Sequence, residues 1–181
     1  MAAALSSTTL MRWGGLAAVL AGVLRAAVSF WPSSDPAIAL ELLYLLIDIL
    51  TLFGILGVYG FLGEQSGVAG FLGFLLAVVG TAIITGPDGE IGEVDMYAAG
   101  SAVFAIGLVF LAVGSWKAGR LPHWVPVLWV LTAVLGFVGG SVEGPDGLLG
   151  ASGVIFGASF VGAGVRVWSN ADSTAPKTPS Q

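Results

Sequence analysis

Apolar residues in this chain come in six long runs, and the polar positions fall almost entirely in the gaps between them. The runs cover about 10–30, 38–62, 68–85, 96–116, 124–142 and 148–168. Each is about long enough to cross the roughly 30 Å hydrocarbon core of a bilayer. A segment in hydrocarbon must satisfy its own backbone polar groups, which predicts helices. Strands of a transmembrane barrel would alternate apolar and polar side chains over about ten positions. Positions 71–79 and 103–113 show no alternation, which excludes a barrel. The predicted fold is all-α: a polytopic membrane protein whose six transmembrane helices form three consecutive helical hairpins. Residues 1–168 make one transmembrane domain. Residues 169–181, rich in Ser, Thr and Pro, are expected as a disordered cytoplasmic tail.

The gaps set the orientation. Arg12 precedes the first run, Lys117, Arg120 and His123 lie between the fourth and fifth, and Arg166 and Lys177 lie at and beyond the end of the sixth. The gaps after runs one, three and five hold no Lys or Arg. They carry Asp35, then Asp88, Glu90, Glu93 and Asp95, then Glu143 and Asp146. By the positive-inside rule both termini are cytoplasmic, and an even number of spans agrees. Trp13, Trp31, Trp116, Trp124 and Trp168 sit at run ends, where an interfacial aromatic belt belongs. Arg12, the apolar stretch 14–24 and Ala26 and Ala27 loosely resemble a secretory signal. Arg25 directly after that stretch and the bulky Phe30 and Trp31 fit such a signal poorly.

Composition narrows the function classes. The chain is 56% hydrophobic and 9% charged, far from the roughly 25% charge of soluble domains. The formal net charge of −5 argues against nucleic acid as a partner, because phosphate binding needs a basic face. The bilayer is the expected partner, with a second copy or another membrane protein as the forms association could take. No cysteine is present, which removes disulfides and thiol catalysis. One His, no HExxH, no Walker loop and no G-x-S-x-G leave zinc, phosphate and serine-hydrolase chemistry without their residues. No cofactor and no enzymatic activity are expected.

Two patterns remain. Gly86-Pro87-Asp88-Gly89 returns 58 residues later as Gly144-Pro145-Asp146-Gly147, each copy between two runs on the outer side. Pro presets φ, Asp bonds nearby backbone and Gly accepts φ > 0, so both copies read as turns. The sharper reading of the first copy is an outer cation site drawing on Asp88, Glu90, Glu93 and Asp95. The 28 glycines include a heptad row Gly100, Gly107 and Gly114 and the GxxxG pair Gly153 and Gly157. Small residues let helix backbones approach closely in lipid. They serve packing inside one bundle or a seam between copies.

The candidate chemistry lies on the second run. Glu41, Tyr44, Asp48 and Thr51 are spaced three, four and three apart, which puts them on one helix face. Tyr59 falls near the same face. Asp48 lies about ten residues, or roughly 15 Å, from the outer end of its helix. Arg25 lies roughly 9 Å below the outer end of the first helix, at the level of Tyr44. An intramembrane charge is expensive and usually pairs inside the bundle, so Arg25 is expected to pair with Asp48, Glu41 or both. A closed pair implies a structural or accessory membrane component. A polar cavity implies the alternative, a small-solute, ion or proton transporter using this stripe. Thr81, Thr132, Ser101, Ser152 and Ser159 are expected to bond to carbonyls of their own helices.

Overall fold

A computed structural model describes residues 7–31, 38–86, 90–92, 94–141 and 147–171. Almost all of them are helical. The helices are α1 (Ser7–Val28), α2 (Ile38–Leu62), α3 (Gly67–Ile84), α4 (Met96–Ala118), α5 (Trp124–Ser141) and α6 (Gly147–Asn170). A single 3-10 turn, Gly63–Ser66, joins α2 to α3, so Ile38–Ile84 is one unbroken helical run of 47 residues. Counted that way, five helical segments among the described residues are long and apolar enough to cross a membrane. Gly63 and Gly67 take φ of 60° and 62° at the two ends of the turn, a left-handed backbone that costs glycine least. Ser66 Oγ donates to Gly63 O at 2.7 Å and closes it. Beyond the turn the chain doubles back, because the Tyr59 ring stacks on that of Phe74 with centroids 4.4 Å apart.

Neighbouring helices in the chain are neighbours in space, and α1 against α6 closes them into a ring. Glycine decides where the ring is tight. A Cβ placed on Gly114 would stand 2.5 Å from Gly70 Cα, and one on Gly107 would stand 2.5 Å from the backbone nitrogen of Ala77. The heptad row Gly100, Gly107 and Gly114 thus faces α3. Gly14 meets Gly57 across α1 and α2, while Gly15 and Gly22 meet Gly164 and Gly157 across α1 and α6. With no hydrophobic drive between helices in lipid, this close backbone contact is what holds the ring. Many large side chains point outward: Leu42, Phe53, Phe71, Val109 and Val134 are exposed, as lipid-facing residues are. Trp13, Trp31, Trp116, Trp124 and Trp168 are exposed too, and Trp129 is buried.

The ring is filled unevenly along its length. The core comprises Met11 and Ala18 of α1, Ile55, Val58, Phe61 and Leu62 of α2, Leu108, Leu111 and Ala112 of α4, Val125 and Trp129 of α5, and Phe156, Phe160, Ala163 and Val167 of α6. These residues cluster toward the end of the bundle where α2 finishes and α5 begins. There Arg120 ties the helix ends together. Its Nη1 donates to Phe61 O at 2.6 Å, its Nε donates to Gln65 Oε1 at 3.1 Å, and its carbonyl accepts from Arg166 Nε at 3.3 Å. Phe61 O belongs to the last turn of α2, where carbonyls lack intrahelical partners, so the guanidinium acts as its cap. At the opposite end, two short strands, Glu90–Ile91 and Val94–Asp95, pair antiparallel between α3 and α4. Asp95 then caps α4 by accepting from Ala98 N at 3.0 Å.

Some sequence readings fall outside the described residues: Pro87, Asp88 and Gly89 of the first turn, Pro145 and Asp146 of the second, Glu93 and Glu143, and the tail from 172. Gly147 is the first residue of α6, which runs to Asn170 and so extends two residues into the segment expected as tail.

Candidate functional site

The end of the bundle opposite the packed core is open inside. A cavity of about 960 Å³ is lined from all six helices. Its deepest lining residues are Thr51 on α2, Thr81 on α3, Leu108 on α4, Thr132 on α5 and Phe156 on α6. Thr51 lies thirteen residues along α2, so the cavity reaches about 20 Å into the bundle at helical rise. Its shape follows from the sequence of α2. The buried residues of that helix start at Ile47, and before it every residue except the partly covered Leu40 and Leu43 is exposed. The first half of α2 therefore stands away from its neighbours, while the second half is locked by Gly54 and Gly57 against α1.

Arg25 of α1 and all four residues of the α2 stripe, Glu41, Tyr44, Asp48 and Thr51, line this cavity. Arg25 lies on α1 at the side facing α6, with Gly153 as its neighbour there. A Cβ there would stand 3.6 Å from Arg25 Nε. Its guanidinium lies 5.6 Å from the centroid of the Tyr44 ring, within cation–π range. Among the described residues Arg25 forms no ion pair with Glu41 or Asp48, contrary to the direct pair expected from their levels. The reason is lateral: Tyr44 lies between the two carboxylates along α2 and takes the face of the guanidinium.

The hydroxyl residues divide. Thr81 Oγ1 donates to Ala77 O at 2.8 Å and Ser159 Oγ to Phe156 O at 2.6 Å, each within its own helix. Ser152 instead donates across helices, to Thr132 O at 3.1 Å. Among the described residues Thr132 Oγ1, in the cavity lining, is buried without a hydrogen-bond partner. Buried polar atoms are normally satisfied, so the cavity floor carries unused hydrogen-bonding capacity. Ser101 and Tyr97 add polar groups from α4. The expectation that Thr132 and Ser152 bond within their own helices fails here, because single hydroxyls in apolar helices form no periodic pattern that would mark a shared site. Tyr59 is not part of the site. Eight residues beyond Thr51 it is rotated by about 80° at 3.6 residues per turn, and it stacks on Phe74 instead.

The arrangement holds one cation and two carboxylates around a space large enough for a small organic molecule. It offers charge recognition and hydrogen bonding. Its described lining residues include no His, Lys or Cys. Comparison of the chain with protein-family models, with curated proteins and with solved structures returns no match.

Proposed function

We propose that the chain is a multi-pass protein of the cell (cytoplasmic) membrane that works as a transporter, taking a small charged solute, ion or proton from outside into the cavity. In this reading it has six spans in three consecutive hairpins, with both termini cytoplasmic. The reversal at Gly63–Ser66 supports six spans over five. Orientation is supported by charge: Lys117, Arg120 and Arg166 gather at the packed end, whereas Glu41 and Asp95 lie at the open end. The packed end is then cytoplasmic and the cavity faces outward.

The observation that carries the proposal is that Arg25, Glu41 and Asp48 face a cavity without closing an ion pair among the described residues. Intramembrane ionisable residues that line a water-accessible space mark solute and proton pathways. The structural or accessory alternative draws on the glycine rows. Yet Gly100, Gly107 and Gly114 face α3, and Gly153 and Gly157 face α1, within this chain.

Solid-supported-membrane recordings on proteoliposomes test the proposal. Concentration jumps of protons, sodium, glycine and phosphocholine are expected to yield a transient current for at least one of them, and Asp48→Asn is expected to abolish it. Absence of current for all four, with folded protein in the vesicles, would favour the accessory role.

A further inference from the structure

The cavity has a second feature, on its α4–α5 side. An apolar groove of about 300 Å³ runs between these helices on the lipid-facing surface. Ala102, Ala105, Ala133 and Phe137 line both the groove and the cavity. The wall between the polar interior and the bilayer is therefore three alanine methyls and one ring, and Phe137 is 69% exposed. No charged side chain lines the groove; beyond the shared residues it is formed by Ile106, Val109, Val134 and Val138.

The depths agree. Ala102 and Ala105 lie about 9 and 14 Å along α4 from its outer end, and Asp48 lies about 15 Å along α2. A molecule reaching from Asp48 through this seam would pass sideways into the outer half of the bilayer.

We infer that the solute is an amphiphile with a zwitterionic head: the head sits in the cavity and its hydrocarbon chain leaves through the α4–α5 seam into the groove. This rests on the reading of the cavity as a solute site and names the class of solute. Two requirements meet in this one class. A head bearing both an anionic group and an ammonium meets both signs in the lining, Arg25 with its anion and the Glu41 and Asp48 side with its ammonium, whereas a simple anion or cation leaves one sign unmatched. Tyr97 adds an aromatic ring to the lining, of a kind suited to an ammonium. The groove, continuous with the cavity through four shared residues, takes a chain and nothing polar.

The test uses the single-cysteine variant Ser101→Cys in nanodiscs of phosphatidylglycerol, so that an added zwitterionic amphiphile is the only one present. Labelling by a small water-soluble thiol reagent reads cavity access. Lysophosphatidylcholine is expected to slow labelling about ten-fold when it is present at roughly ten times its dissociation constant. Phosphocholine, the same head without a chain, is expected not to do so at that concentration. Adding Ala105→Phe to close the seam is expected to remove the protection. Phe137→Trp, at an exposed position that cannot overpack the core, is expected to act in the same direction if Ala105→Phe fails to fold.

Equal protection by phosphocholine, or protection unchanged in both seam variants, would overturn the inference and leave the small-solute reading standing. Rapid labelling protected by neither compound would also overturn it. No labelling of Ser101→Cys in folded protein without additive would contradict the cavity reading itself.

Discussion

Gly107→Ala is expected to lower the thermal stability of the protein, and the same substitution at Gly140 is expected to leave it unchanged or slightly higher. The two changes add one methyl group each to an apolar helix. At Gly107 the new Cβ would stand 2.5 Å from the backbone nitrogen of Ala77 and 3.0 Å from Gly73 O. Both are backbone atoms, so the clash cannot be relieved by turning a side chain, and α3 and α4 must move apart. Overpacking of this kind costs about 1–3 kcal/mol, which exceeds the helix-propensity gain of about 1 kcal/mol for Ala over Gly. At Gly140 a Cβ meets nothing within 4 Å, so only the propensity gain remains. Gly107→Leu should be worse than Gly107→Ala. Thermal unfolding in detergent decides the matter. Equal melting temperatures for the two alanine variants would mean that α3 and α4 are not packed on this glycine row.

Arg120→Ala is expected to cost about 1.5–3 kcal/mol, the range for hydrogen bonds from a charged donor. The side chain caps Phe61 O at the end of α2 and bonds Gln65 in the following turn. Its guanidinium also lies 5.8 Å from the Phe61 ring. Arg120→Lys is expected to lose most of the same stability, because one ammonium lacks the planar fork that reaches both acceptors. A lysine variant as stable as the parent would mean that position 120 contributes charge alone. Loss of the clamp should loosen the packed end first, which hydrogen exchange in the last turn of α2 would report.

Much of the architecture was legible because the membrane simplifies the code. A helix in lipid needs only length and apolar character, so α2 begins and ends at the positions its hydropathy indicates, Ile38 and Leu62. The stripe on α2 was legible for a related reason. In a chain with 9% charged residues, two carboxylates and a tyrosine at helical spacing stand out, and they line one cavity. The cavity itself was not legible. It arises because the first half of α2 stands off while its second half, with Gly54 and Gly57, is pressed against α1. The two halves do differ in composition, with Glu41 and Asp48 in the first and Gly54, Gly57 and Gly60 in the second, but both are apolar enough to span, so hydropathy does not mark the change. The role of Arg120 was also hidden, since it depends on Phe61, 59 residues away, and not on its own neighbours. Its charge was read only as a topology signal. The direct pairing of Arg25 with a carboxylate was expected from depth, and depth does not anticipate the contact of its guanidinium with the Tyr44 ring.

One half of the bundle is packed and the other holds a polar space that water is expected to enter. The most direct measurement is thiol accessibility at position 48, using Asp48→Cys in this cysteine-free chain with Ala77→Cys as the control in the α3–α4 seam. A small membrane-impermeant reagent applied from the side of the α1 C-terminus is expected to label position 48 rapidly and to leave the fully buried position 77 unreacted. Position 48 as unreactive as position 77, in protein with the parental melting temperature, would contradict the account and return the stripe to a sealed structural role.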